Sequence, residues 1–289
     1  MARFVQSNAH FLKRDALYEI EKPYSLRFAP PEGFPRANIK LENHNIDIHD
    51  IRGSRSMSFK KDGVEVINFD SKLKYEDFDD DEVVKEIFLL EVANTLKALL
   101  QAQHIQIFEH TIRKQHETFP ISTGLPYQYN QPTSIAHVDT TVGWALDMTQ
   151  QLNADKASEI TNHRVQCVNF WKPLKGPVKN WPLAMCDPDT INPDTDLEPC
   201  DLVYPDYVVE NRQLYHSDKQ RWFYLSNQMP NEAWVFLQSD TNNTTKPVPH
   251  TAFPVTEIVA SDDAIRESIE VRALAFYGGF EHNPGNEAK

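Results

Sequence analysis

The sequence predicts a mainly β fold with added helices (α+β), an antiparallel barrel or jelly roll. Three observations lead there. From residue 137 onward, short apolar or alternating runs such as "HRVQCVNFWKPL", "EAWVFLQSD" and "ESIEVRALAFY" are separated by turn-rich stretches. Nineteen prolines stand against nine glycines, so rigid turns and strand edges are set mostly by proline. Ahead of these runs the period changes: in "DFDDDEVVKEIFLLEVANTLKALLQAQ", Val83, Ile87, Leu90 and Leu96 recur at helical spacing.

Taken in order, residues 1–80 read as a mixed, turn-rich extension. Within it "RGSRSMSFKKDGVEVINFD" suggests a hairpin turning at "KDG". Residues 80–118 read as helical: one long amphipathic helix over 80–103, with acids where a helix N-terminus favours them, then a short helix near "HIQIFEHTIRK". The core is expected over 133–280. It begins with a helix at "TVGWALDMTQQLN". In "HRVQCVNFWKPL", Val165, Cys167, Asn169 and Trp171 share one face. A proline-rich loop over 173–200 follows, then "YVVENRQLYH" and "RWFYLS" as a hairpin pair. No repeat or linker divides the chain, so 1–289 is read as a single domain.

Hydrophobic residues make up 40% and aromatics 11%, enough for a sizeable core. The net charge of −13 and a pI near 5.3 argue against nucleic acid or anionic membranes as partners. Cys167, Cys186 and Cys200 form no CxxC pair, which suggests reduced thiols and a cytoplasmic protein. The N-terminal "MARFVQSNAHFLKRDALYEI" has no apolar signal core, and no run is long enough to span a membrane. Without a secretory signal, the sequons in "NNTT" carry little weight. The expected state is a monomer or homodimer acting on a small molecule.

The stretch "TSIAHVDTTVGW" carries the first chemical signal. On a strand, His137 and Asp139 point to one face and can converge on a metal ion. Two histidines and one carboxylate on one side of a metal make an open non-haem iron(II) site. His250 in "KPVPHTAFP" is the candidate third ligand, because a jelly roll brings distant strands together. His-x-Asp alone is weak, since His216 and Asp218 repeat the spacing. His104, His110 and His116 read as surface or packed residues, and His163 as a loop residue.

Downstream, "RESIEVR" puts Arg266, Ser268, Glu270 and Arg272 on one parity. A guanidinium with a hydroxyl beside it suits a carboxylate. The same alternation also describes the solvent face of an amphipathic strand, with Arg272 paired to Glu270. An acidic chain that keeps cations near a metal suggests an anion to hold, so at least one of Arg164 and Arg272 is expected to bind a substrate carboxylate. Tyr127, in the turn-rich run before His137, is a further substrate-binding candidate.

Together, "HVD", "PHTAF" and "RESIEVRALAF" resemble the Fe(II)/2-oxoglutarate oxygenases. With "RVQCVNFWKPL", "RWFYLSNQMPNEAWVFLQSDT" and "EHTIRK", the chain resembles more closely the cephalosporin-methoxylase (CmcJ-type) and gibberellin-desaturase-like group, over roughly residues 80–277. In size and motif it is also similar to the TqaL-type aziridine-forming enzymes. The resemblance implies a double-stranded β-helix (cupin-like) core. It implies iron(II) on His137, Asp139 and His250, with 2-oxoglutarate on Arg266 and Ser268 and dioxygen as the oxidant. Asn169 and Arg164 would line the pocket, Asn169 on the cofactor side and Arg164 on the substrate side. The expected reaction oxidises an unactivated C–H bond of a carboxylic or amino acid in secondary metabolism, giving hydroxylation, desaturation or ring closure. A neutral polyketide or terpenoid is the alternative substrate. "HVDTT" departs from the aromatic-containing run usual after the aspartate, which implies a different pocket shape. A non-catalytic cupin-like binding protein is the rival from another class. A zinc hydrolase lacks support without HExxH, and a serine hydrolase without GxSxG.

Overall fold

The computed structural model describes residues 4–53, 56–121, 127–255 and 265–280. Among them, two mostly antiparallel sheets face each other. The larger has nine strands in the spatial order β1 (Phe4–Leu12), β3 (Leu41–Asp50), β11 (Trp222–Tyr224), β8 (Leu183–Cys186), β13 (His250–Ala252), β6 (His137–Val138), β10 (Val208–Leu214), β9 (Leu197–Val203) and β2 (Tyr24–Leu26). The smaller runs β4 (Val64–Asn68), β12 (Glu232–Asp240), β7 (Val165–Pro173), β14 (Glu267–Phe276) and β5 (His104–Lys114). Two pairings, β3 with β11 and β2 with β9, are parallel. This is the layering of a jelly-roll-like core.

The three central strands of the smaller sheet, β12, β7 and β14, are buried on both faces. On the inner face, Trp234 meets Phe223 of β11 and Phe236 packs edge-on against His250. On the outer face, Val168, Phe170, Ile269 and Val271 are buried beneath Phe88, Val92 and Leu96. Phe88 ends a π turn over Val84–Phe88, Val92 and Leu96 come from the helix Leu89–Leu100, and a short helical piece, Asp81–Val83, leads into both. Asp80 caps the start by accepting from the Glu82 and Val83 amides. A second helix, Val142–Leu152, packs Ala145 in one cluster with Cys167 and Leu274, beside the inner space.

Four sequence expectations are corrected. The hairpin at "KDG" does not form: Phe59–Asp62 is a single helical turn closed by Gly63 at φ 69°, and β4 pairs with β12 instead. Residues 54 and 55 of that stretch lie outside the described residues. "HIQIFEHTIRK" is strand β5, because its neighbour β14 supplies a full ladder of partners. The proline-rich loop contains β8 in the middle of the larger sheet. "YVVENRQLYH" and "RWFYLS" do not pair with each other: β10 joins β6 and β9, while β11 joins β3 and β8. The first 80 residues are also more than an extension, since they supply β1, β2 and β3 to one sheet and β4 to the other.

Candidate metal and cosubstrate site

His137 and Asp139 sit at and just after the two-residue strand β6, with their side chains on its inner face. β13 lies beside β6 in a register that places His250 directly opposite His137. The two rings are 4.5 Å apart. Asp139 lies between them, its two oxygens 3.4 Å from His137 Nε2 and 3.4 Å from His250 Nε2. One ligand atom from each of the three residues falls within 4.8 Å of the others. This is the two-histidine, one-carboxylate donor set of an open iron(II) site.

The protonation states suit a metal. His137 Nδ1 donates to the Ile135 carbonyl at 2.7 Å, leaving the Nε2 lone pair turned inward. Burial, with His137 alongside, pushes His250 down to about 4, so its ring is neutral at ordinary pH. Burial would raise Asp139, but Arg272 and the two histidines hold it well below the usual carboxylate range. Its backbone is fixed as well: Gln238 Oε1 accepts the Asp139 amide at 2.6 Å.

Arg266, Ser268, Glu270 and Arg272 all face this space, on the same side of β14, so their parity marks an interior wall and not a solvent face. Arg266 is 4% exposed. One of its nitrogens donates to the Trp181 carbonyl at 2.7 Å, and the guanidinium lies 5.5 Å from the Trp171 ring. Its Nε has no partner, and neither does the buried hydroxyl of Ser268. β5 places Arg113 directly across from Ser268. Burial and the nearby Arg113 lower Arg266 to about 9, which still leaves it charged at neutral pH. Two arginines and an unpaired hydroxyl on adjacent strands can hold a carboxylate.

Four expected contacts are placed differently. Arg272 donates to Asp139 at 2.7 Å, to Glu270 at 2.8 Å and to Glu109 at 3.0 Å, so it is an ion-pair partner of the Asp139 carboxylate. Asn169 donates to the other Asp139 oxygen at 2.6 Å and to Glu270 at 3.3 Å. Arg164 is committed elsewhere: it forms a two-point pair with Asp240 at 2.9 and 2.5 Å, bonds Thr244, and lies over the Tyr277 ring. Tyr127 donates to the Ile121 carbonyl, packs on His116 and lines a pocket with Asp81 and His110. Because the Asp240 carboxylate is 1% exposed and would keep only the neutral donors Thr244, Gln166 and the Asn242 amide, Arg164→Ala should cost about 1.5–3 kcal/mol in urea unfolding, the loss of a charge-assisted pair, and leave 2-oxoglutarate turnover per folded molecule unchanged.

Sequence reasoning missed Arg113, Gln238 and the part played by Glu270. The signal for Arg113 was available: once "HIQIFEHTIRK" is a strand, its alternation against β14 puts Arg113 on the inner face. Gln238 carries no such mark.

Comparison with known proteins agrees with this geometry. A family profile described as "Oxidoreductase/YMDC permease-like domain" matches residues 10–276. The Fe(II)/2-oxoglutarate-dependent dioxygenase nvfI of Aspergillus novofumigatus is 31% identical over 280 residues, covering 94% of this chain and 97% of its own. The alpha-ketoglutarate-dependent dioxygenase tstK of Talaromyces stipitatus is 30% identical over 238 residues, covering 80% and 84%. Among solved structures, the iron and alpha-ketoglutarate-dependent endoperoxidase NvfI superposes with a TM-score of 0.81 at 27% identity, covering 95% of this chain and 98% of that one. With its paired histidines and aspartate in place, the chain belongs to this oxidoreductase family and is an Fe(II)/2-oxoglutarate-dependent dioxygenase that uses O2 as co-substrate.

Proposed function

We propose that His137, Asp139 and His250 hold the iron(II), and that Arg266 and Ser268, with Arg113 beside them, bind the far carboxylate of 2-oxoglutarate. The observation that carries this reading is the pair of buried, unpartnered donors, Arg266 Nε and Ser268 Oγ, on the same strand face as the arginine that touches Asp139. Bound iron supplies the oxidative decarboxylation of 2-oxoglutarate to succinate coupled to C–H oxidation. The chain orients both partners and keeps water from the reacting centre. Reconstitution with iron(II) and ascorbate should give succinate from 2-oxoglutarate. No succinate from the iron-loaded wild type would sink this reading.

The substrate, on this proposal, is a neutral small molecule of secondary metabolism. A carboxylic or amino acid, including one closed to an aziridine, would need a free cation, and both candidates are engaged: Arg164 by Asp240 and Arg272 by Asp139, Glu270 and Glu109. An unpaired carboxylate would carry its full desolvation cost into such a site. Hydroxylation, desaturation, ring closure and endoperoxide formation, the last named for the NvfI relative, would share a first step, removal of one hydrogen atom from a substrate C–H bond, and differ in the oxidation that follows. In a substrate screen by mass shift, neutral alcohols, ketones and methyl esters should stimulate succinate release and be oxidised, and the corresponding free acids should not. Preference for the acids would overturn the neutral-substrate reading.

A further inference from the structure

We infer that Arg272 and Asn169 are positioning residues for the metal carboxylate, a clamp that sets the plane of Asp139 before any metal arrives. This inference rests on the metal assignment proposed above and concerns what makes that site selective in geometry. A carboxylate bonded at one oxygen can still turn about its Cβ–Cγ bond. Asp139 is bonded at both: Arg272 Nη2 donates to Oδ1 at 2.7 Å, and Asn169 Nδ2 to Oδ2 at 2.6 Å. Rotation would break both bonds at once. Each oxygen has a second lone pair, and each lies 3.4 Å from one histidine Nε2, so the clamp turns the free lone pairs towards the two rings.

The clamp is itself held. Arg272 and Asn169 are direct neighbours in the β14–β7 register, so two adjacent strands present them together. Glu270 accepts from both, from Arg272 Nε at 2.8 Å and from Asn169 Nδ2 at 3.3 Å. Glu109 takes the remaining arm of the guanidinium at 3.0 Å. Three carboxylates thus share one planar, five-donor group, a geometry that a lysine ammonium cannot reproduce. Outer partners of this kind orient metal ligands, and their loss typically weakens metal binding about 10–100-fold.

The test uses Mn(II) as a redox-silent probe on metal-free full-length protein, with the Co(II) absorption spectrum as a second readout. Arg272→Met and Asn169→Ala should each weaken Mn(II) binding about 10–100-fold and change the Co(II) spectrum, while thermal unfolding stays cooperative. Arg272→Lys should recover only part of the affinity, because charge without the fork does not fix the plane. Mn(II) binding within about threefold of wild type in both Arg272→Met and Asn169→Ala, with an unchanged Co(II) spectrum, would overturn the clamp, since loss of such a partner is expected to cost far more. Full recovery by Arg272→Lys would overturn it too, since charge alone would then suffice. If Arg272→Met does not fold, Asn169→Ala decides. Failure of the metal assignment has a different signature: wild type and His137→Ala would bind Mn(II) alike.

Discussion

Alanine at His137, Asp139 or His250 should abolish 2-oxoglutarate turnover and leave the fold standing. On the proposed assignment the site has three protein donors among the described residues, so the loss of one leaves two rings, or one ring and a carboxylate, to hold a divalent ion against water. The fold should survive because these side chains line the inner space and most of the apolar packing lies elsewhere, in Phe88, Phe170, Val168 and their neighbours, although His250→Ala also gives up its edge contact with Phe236. Asp139→Ala differs in one respect. It leaves Arg272 with two acids in place of three, and Asn169 without its 2.6 Å acceptor. Metal content by mass spectrometry, succinate release and thermal unfolding together check the result. Wild-type turnover in any of the three variants would remove that residue from the ligand set.

The second large effect is on the cosubstrate. Arg266→Lys should raise the 2-oxoglutarate concentration needed for half-maximal turnover roughly ten- to a hundredfold, the equivalent of about 1.5–3 kcal/mol for a charge-assisted hydrogen bond. An ammonium cannot bond the Trp181 carbonyl, lie beside the Trp171 ring and still present a flat two-donor edge. Ser268→Ala should cost less, about 1 kcal/mol, as the loss of a neutral hydroxyl contact. Titration of 2-oxoglutarate against Mn(II)-loaded protein separates this binding effect from chemistry. An unchanged requirement in Arg266→Lys would move the anchor to Arg113, the cation across from Ser268 on β5.

The ligand set was legible in the sequence because a strand obliges His137 and Asp139 to share a face and because few histidines stand at the start of a later strand. The face of β14 was not. Alternation shows that Arg266, Ser268, Glu270 and Arg272 belong together, but a sheet covered on both sides offers two interiors and no solvent face to mark the outside. β5 was misread for a related reason: Ile105, Phe108 and Ile112 in "HIQIFEHTIRK" fall at spacings that a helix would also produce, and only the ladder to β14 decides. β8 is four residues long and lies inside proline-rich surroundings, so no local pattern separates it from loop. The engagement of Arg164 and Arg272 is a matter of which acids the folded chain brings near them, and single-residue patterns carry no such information.

The register that sets His250 against His137 also dictates an order of events during synthesis. β6 is only two residues long and reaches its neighbour β13 late in the chain, while β4 waits for β12 and β3 for β11. Pairings this distant in sequence are costly to close and are made late. Until residue 250 has left the ribosome the nascent protein offers a metal two donors, and its unfinished sheets expose unpaired edges of the kind that associate with other chains. On the proposed ligand set, a three-donor site can form only once residue 250 has joined the sheet, so metal binding must follow the closure of these distant pairings.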